Sequence, residues 1–214
     1  MSANKSADHK GLGNISTKSD DVAEYYDDWA EDYDRTLARW QYEAPERAAA
    51  LLRSALDPGS VILDAGCGTG LTGKALARAG FATVDGIDVS RRSLEQAAES
   101  GAYRSLEYVD MQKPPLPFDN NSYDGLVCVG VFTYLPDSAG ILGEFCRVVR
   151  SDGAMVLSQR SDILEERNFT AVLNELEQQG LVHEVHVSAP QPYLPENEEF
   201  ADQVLIHYIT CRAK

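Results

Sequence analysis

Apolar and polar residues first fall into step at Asp20. Val22, Tyr25, Tyr26, Trp29 and Tyr33 recur three to four positions apart with acids between them, which predicts a helix with one apolar, aromatic face. A second helix opens near Pro45, a residue suited to a first turn, and runs through Ala48 to Leu56, where Asp57-Pro58-Gly59 stops it. Beyond that point the pattern alternates. Short apolar runs at 60–64, 82–88, 106–110, 123–130 and 154–159 read as buried strands. Helices are expected at 69–79, closed by Gly80, and from the N-cap Ser90 to Gly101. Two more are expected, one through Leu142, Phe145, Cys146 and Val149 and one over 163–179, closed by Gly180. The third and fourth strands are joined by the Pro-rich loop 113–118 and the turn Asp119-Asn120-Asn121.

Strands separated by helices of this length imply right-handed crossovers and a mostly parallel sheet covered on both faces, a doubly wound α/β architecture. The end of the chain departs from this. Segments 181–187 and 204–211 are both extended and are joined only by the Pro-rich loop 188–202, so they pair antiparallel or lie in different sheets. A reversed strand is therefore expected to finish the sheet. Residues 1–19, rich in Ser, Asn, Lys and Gly, read as a disordered tail, and 20–214 as a single domain.

Charge narrows the partners. The net charge is −15, from 19 Lys and Arg against 34 Asp and Glu, and no three basic residues adjoin, so nucleic acid is not an expected partner. No run approaches the roughly 18 apolar residues of a membrane span, and the first twenty residues lack the apolar stretch of a secretory signal. A cytoplasmic protein without a membrane partner is expected. The cysteines at 67, 128, 146 and 211 have no C-x-x-C spacing, and three of them sit in apolar or amphipathic runs as small hydrophobes. On an extended segment His183 and His186 fall on opposite faces, so no metal site is expected there.

The chemistry concentrates in "VILDAGCGTGLTG", Val61 to Gly73. From Gly68 it reads G-x-G-x-x-G with Asp88 about twenty residues on, a dinucleotide fingerprint. From Asp64 it reads D-x-G-x-G-x-G, a nucleoside loop with no place for a pyrophosphate. A pyrophosphate seeks backbone N–H groups at a helix N-terminus and is repelled by a carboxylate at the mouth of the loop, where Asp64 stands. An ammonium or sulfonium is attracted by it. Gly66, Gly68 and Gly70 let the backbone pass close beneath a ligand and permit positive φ. Asp88 can accept from both hydroxyls of a ribose, and Asp110 from an exocyclic amine such as adenine's. Three acids at three successive strand ends say more than the glycines alone.

These residues resemble the class I, Rossmann-like, S-adenosylmethionine-dependent methyltransferases. The resemblance rests on "VILDAGCGTG", on "VDGID" ending in Asp88, on "YVDMQKPPLPFDNNSYDGLVCVGVFTYL", and on the terminal strand pair. It covers Asp20 to the C-terminus. "YYDDWAEDYD" with "YEAPERAAALL" is also similar to the methyltransferase-like family of the Williams–Beuren chromosomal region. The resemblance implies a seven-stranded sheet with an antiparallel last strand, S-adenosylmethionine as cofactor, and S-adenosylhomocysteine as product. It further implies that Gly66 and the backbone around Cys128 meet the methionine part of the cofactor and that Asp64 orients its amino group. Asp88 would take the ribose, Val89 the adenine face, and Asp110 with the Met111 backbone the adenine edge. Tyr25, Tyr26 and Tyr33 would close the site from a helical lid over 20–56.

Substrate residues are expected after the fourth, fifth and sixth strands: Phe132 and Tyr134, Arg160 as an anion anchor, and Tyr193. Tyr134 stands near where many relatives carry a histidine, and it is the first candidate for a general base. Cys67 lacks a histidine to activate it and reads as a small loop residue. No N-P-P-Y or D-P-P-Y run follows the fourth strand, which argues against methylation of DNA adenine or glutamine. The expected reaction is methyl transfer to an O, N or S atom of a small molecule. The alternatives are a cofactor-binding protein that acts through a partner without turnover, and a methyltransferase acting on a protein.

Overall fold

The computed structural model describes residues 16–197 and 204–214. The expected tail falls outside the described residues over 1–15, and so do 198–203 of the loop before the last strand. Helix α1 (Ser19–Arg39) buries Val22, Trp29, Ala30 and Leu37 along one stripe and places Asp20 and Asp21 in its first turn, where the helix dipole favours acids. Gln41, at φ 54°, turns the chain into α2 (Ala44–Ala55), with Pro45 in its first turn. There follow β1 (Val61–Ala65), α3 (Leu71–Arg78), β2 (Thr83–Asp88), α4 (Arg91–Glu99), β3 (Ser105–Tyr108) and β4 (Tyr123–Cys128). After a single 3-10 turn at Phe132–Tyr134 come α5 (Ser138–Val148), β5 (Val149–Arg160), α6 (Ser161–Glu166) and α7 (Phe169–Gln178). The chain ends with β6 (Val182–Val187), a two-residue β7 (Gln191–Pro192) and β8 (Leu205–Ala213).

The sheet runs β3-β2-β1-β4-β5-β8-β6, with β7 added beside β8. β1 to β5 pair parallel, whereas β8 is antiparallel to both β5 and β6. The reversed strand is present, but it lies between β5 and β6 and does not form the edge. Alternate residues sort to two faces. Leu63, Ile87, Leu126, Met155 and Ile209 pack under α5 and α7, while Ile62, Val84, Val127, Val156 and Ile206 pack under α2 and α3. A third, smaller cluster of Trp29, Leu37 and Leu194 seats α1 over the carboxyl ends of the strands.

Two expectations are corrected. The helix at 163–179 is two helices, broken at Asn168, whose φ of 47° is left-handed. Asparagine enters that region more readily than most residues, so nothing in the apolar spacing announced the break. The break lets Arg167 donate to the carbonyls of Phe132, Thr133 and Leu135 and so clamp the turn after β4. The two histidines of β6 share a face. The register slips between His183 and His186, pairing them with Arg212 and Thr210, and Glu184 takes up the extra residue at φ 52°.

Candidate active site

β1 is central, with β2 on one side and β4 on the other, so the loop after it opens at the point where strand order reverses. Gly66 and Cys67 both donate their N–H to the Ile87 carbonyl, at 2.8 and 3.0 Å, curling the loop over the end of β2. Gly66, Gly68 and Gly70 have φ of 82°, 52° and 92°. They are not equivalent. A Cβ on Gly66 would stand 2.3 Å from Val131 Cγ2, whereas one on Gly68 would meet nothing within 4 Å, leaving open space above it.

Gly73, the last glycine of the dinucleotide reading, faces no ligand. A Cβ there would stand 2.2 Å from Tyr103 Cζ, and its N–H donates to the Tyr103 hydroxyl at 3.0 Å. Asp34 of α1 accepts from Thr69 Oγ1 and pairs with Lys74 Nζ at 3.0 Å, beside the start of α3. A carboxylate at the root of the loop and another above the helix start leave a pyrophosphate no welcoming surface. The nucleoside reading is the one the geometry supports.

The three acids stand in different states. Asp88 accepts from Gly68 N–H at 2.9 Å and Ser90 N–H at 2.8 Å; burial pushes its carboxyl above the usual range, opposed by those bonds. Asp110 accepts from Gln112 N–H and Ser19 Oγ and pairs with Lys113 at 3.0 Å. Burial raises its affinity for a proton, but these donors outweigh it and hold the carboxyl below the usual range. β3 stops at Tyr108, so Asp110 lies two residues past the strand end and not at it, in a loop that Val109 N–H ties to the Asp88 carbonyl at 3.0 Å. Asp64 is wholly buried. Its Oδ2 accepts from the Tyr103 hydroxyl at 2.7 Å, and its Oδ1 has no partner. Burial lifts its pKa to about 7, with Asp88 adding to the rise and the Tyr103 hydrogen bond opposing it.

A cleft of about 700 Å³ of space, mouth included, runs over these groups. Of the expected residues, Gly66, Gly68, Asp88, Val89, Asp110, Met111, Tyr26, Tyr33 and Tyr134 line it. The others do not. Asp64 and Gly70 lie beneath the loop, Gly70 against Ala97 and Tyr103. Cys128 turns into the core, and the wall is made one to three residues later by Val129, Gly130 and Val131. Tyr25 stands edge-on to Tyr26 and Trp29 and does not reach the cleft lining. Phe132 is fully buried against Phe145 and Phe169, because the 3-10 turn points it into the core, so it is no substrate contact. Arg160 is held by both oxygens of Asp162, at 3.1 and 2.6 Å, and Tyr193 stacks edge-on to Tyr42.

The surroundings of Tyr134 disfavour its phenolate and so count against a role as base. Burial pushes its hydroxyl well above the usual tyrosine range, against the lowering hydrogen bond from Tyr26. The Tyr26 hydroxyl donates to it at 2.9 Å, which leaves Tyr134's own proton for a further acceptor. The residues that sequence reasoning missed are Tyr103, Ser19, Thr69, Asp34 and Asp27, the last accepting from Ser90 Oγ at 2.6 Å. The acids among them were visible on the predicted helix, but no spacing rule says which strand-end loop a helix will cover.

The cofactor fits the chain. Asp88 and Asp110 border open space over Gly68, Val89 and Met111 supply an apolar wall, and the unpaired Oδ1 of Asp64 is a buried acceptor left for a donor.

Comparison with known proteins agrees. Residues 63–157 match the family described as "Methyltransferase domain". Methyltransferase-like protein 27 of Homo sapiens is 34% identical over 164 residues, covering 73% of this chain and 66% of that protein. The ubiquinone biosynthesis O-methyltransferase of Neisseria meningitidis is 33% identical over 104 residues, covering 47% of this chain and 44% of that protein. The chain thus spans less than two thirds of the length of these relatives. Among solved structures, the magnesium protoporphyrin IX methyltransferase of Synechocystis PCC 6803, with bound S-adenosylmethionine, superposes with a TM-score of 0.68 at 16% identity, covering 95% of this chain and all of that one.

Proposed function

We propose that the chain is a class I S-adenosylmethionine-dependent methyltransferase that transfers the cofactor's methyl group to an O, N or S atom of a small molecule. The observation that carries this reading is the cleft itself, with Asp88 and Asp110 at its rim, open space over Gly68, and α1 drawn across the top. When bound, S-adenosylmethionine would supply an electrophilic methyl carbon, to which an acceptor's lone pair bonds as the carbon–sulfur bond breaks and its electron pair returns to the sulfur of S-adenosylhomocysteine. Asp88, its carboxylate fixed by two backbone N–H groups, would accept from the ribose hydroxyls. Asp110 and the Met111 backbone would read the adenine edge, Val89 its face, and Asp64 the amino group. Tyr33 and Tyr26 border the rest of the cleft, and the Tyr134 hydroxyl would orient the acceptor by a hydrogen bond, each keeping its own proton. Holding two reactants in line is worth roughly 7–11 kcal/mol, so positioning outweighs any one catalytic group.

A small acceptor is favoured because α1 roofs the cleft and because the chain is strongly acidic. Relatives named for ubiquinone and menaquinone methylation point the same way. In this reading residues 20–214 are one domain in which α1 is the lid, whereas α2 packs Ala48, Ala49 and Leu52 onto the sheet. Arg160 and Tyr193 flank the acceptor side without reaching the cleft lining.

The test is incubation of the purified protein with methyl-tritiated S-adenosylmethionine and a whole-cell extract, then separation of label by size. Label in the small-molecule fraction is the expected result. Label in protein would overturn the acceptor class and keep the chemistry. No label, with cofactor binding verified, would mean a binding protein without turnover.

A further inference from the structure

Tyr103 precedes β3 and belongs to no expected site, yet its ring lies inside the glycine-rich loop. Three glycines border it. A Cβ would stand 2.2 Å from its Cζ at Gly73, 2.9 Å from its Cε1 at Gly86, and 3.3 Å from its Cε2 at Gly70. Helix α3 begins with Gly70 as N-cap, which has no side chain to satisfy the free N–H groups of the first turn. The Tyr103 hydroxyl takes that place by accepting from Gly73 N–H at 3.0 Å, and it donates its own proton to Asp64 Oδ2 at 2.7 Å. One phenol therefore ties the start of α3 to the carboxylate at the end of β1. Burial pushes the hydroxyl far above the usual tyrosine range, so it keeps a proton to give to the ionised Asp64.

What remains of Asp64 is Oδ1, buried and without a partner. The bond to Tyr103 fixes the orientation of the carboxylate, and so the place of the oxygen it leaves unpaired. We propose that Tyr103 is a positioning residue of the cofactor site, which holds the Asp64 carboxylate beneath the glycine-rich loop so that its charge attracts the cationic amino end of a cofactor lying over that loop. The inference rests on the cofactor reading above. It assigns Gly73 and Gly86 to a tyrosine and not to a ligand, and it makes cofactor affinity depend on the ionisation of Asp64. The groups facing Asp64 are Tyr103, Asp88 at the end of β2, Cys67 in the loop and Cys128 at the end of β4. Burial pushes both thiols up, away from neutral pH, and it also raises Asp88, the acid whose effect has to be told apart from that of Asp64.

Two ligands separate those two acids. S-adenosylhomocysteine has the amino group, whereas 5′-methylthioadenosine keeps the ribose and adenine and lacks it. Calorimetric titrations of each, from pH 5.5 to 8.5, should be made on the wild type and on Tyr103→Phe. Loss of one hydrogen bond to a charged group predicts S-adenosylhomocysteine binding roughly ten- to a hundredfold weaker at neutral pH. The pH above which binding is full should move upward, since the bond that favours the carboxylate is gone, and methylthioadenosine affinity should stay within twofold. Equal losses for both ligands, or none for either, would overturn the role. A wild type that binds neither ligand overturns the cofactor reading and the role of Tyr103 with it. Should Tyr103→Phe fail to fold, the wild type labelled at tyrosine 13Cζ replaces it. The Tyr103 resonance should then move with the same pH midpoint as the affinity and stop moving in Asp64→Asn; a resonance indifferent to Asp64 refutes the coupling.

Discussion

Asp64→Asn should make the ligand-free protein more stable at alkaline pH, although it removes an acid from the heart of the site. The carboxyl is fully buried, and its pKa lies at about 7 against an ordinary 3.8. A folded value above the unfolded one means that its favourable contribution is complete below about 3.8 and is lost as pH rises through about 7. Above that window the ionised group opposes folding by about 4 kcal/mol, at 1.36 kcal/mol per decade of proton affinity. Asparagine removes this penalty and keeps an oxygen for Tyr103, but it places an NH₂ where Oδ1 had no partner, at a cost of about 1–3 kcal/mol at every pH. The constant cost cancels when two pH values are compared. The stability difference, variant minus wild type, should therefore grow in the variant's favour by about 2–3 kcal/mol between pH 5 and pH 8. For a domain of this size that is a relative Tm swing of about 4–12 °C. Thermal melts at the two pH values measure it, and other titrating groups drop out because both proteins share them. Saturating S-adenosylhomocysteine should raise the wild-type Tm more than the variant's. A difference that stays flat with pH, or one that favours the wild type more at pH 8, would refute the reasoning that the carboxyl is ionised against its surroundings.

Asp88→Ala should weaken S-adenosylhomocysteine by more than tenfold in calorimetry, since it removes the carboxylate fixed by Gly68 and Ser90; retained affinity would mean that the ribose lies elsewhere. The glycines should split. Gly68→Ala meets no atom and strains only a left-handed φ, about 1–2 kcal/mol in melts, yet it should cut cofactor affinity because the methyl enters the open cleft. Gly73→Ala should also destabilise, by about 1–3 kcal/mol or more, because Tyr103 must leave its slot, but it puts no new atom into the cleft; a Gly73→Ala protein as stable as the wild type would contradict the assignment of Gly73 to a tyrosine. Tyr134→Phe should lower turnover without changing the shape of the pH–rate profile between pH 6 and 9, and loss of a basic limb in that range would restore Tyr134 as a base.

The alternation of strand and helix, the reversed terminal strand and the strand-end acids Asp64 and Asp88 were all legible in the residues, because each follows from a period or a turn signal that acts locally. What escaped was set by distance in sequence. Gly73 looked like part of a phosphate fingerprint because a glycine records only that space is needed, not what fills it; here Tyr103, thirty residues on, fills it. Phe132 follows a strand facing the cofactor and invited a substrate role, but a 3-10 turn rotates it inward, and Arg167, in a break that no Pro or Gly marks, holds the turn there. Arg160 ends its strand as expected, yet Asp162, two residues on, occupies its guanidinium. Each miss concerns where a side chain points, which local spacing does not determine.

The position of α1 raises a further question, since the helix covers the cleft through which the cofactor must pass. Its apolar anchor is built on Trp29, Leu37 and Leu194, with Tyr25, Tyr26, Tyr33 and Trp40 packed against them. Most of its remaining ties are polar and reach toward the rim: Ser19 to Asp110 at 2.8 Å, Asp27 to Ser90 at 2.6 Å, Tyr26 to Tyr134 at 2.9 Å, and Asp34 to Lys74 at 3.0 Å. Asp34 and Lys74 are over a third exposed, and ion pairs of that kind contribute about 0–1 kcal/mol. These polar ties are the ones a ligand can exchange, since Asp110, one of the helix's anchors, is also a proposed cofactor contact. Ligand and lid are then coupled through a shared carboxylate, and closing over a bound ligand adds contacts that the open helix lacks. Limited proteolysis should cut between Asp20 and Tyr42 in the ligand-free protein and slow by severalfold with S-adenosylhomocysteine. Asp34→Ala should speed the ligand-free cut and leave the protected rate nearer to the wild type. Cutting at the same rate with and without ligand would mean that α1 is a fixed wall and that the cofactor enters by another side.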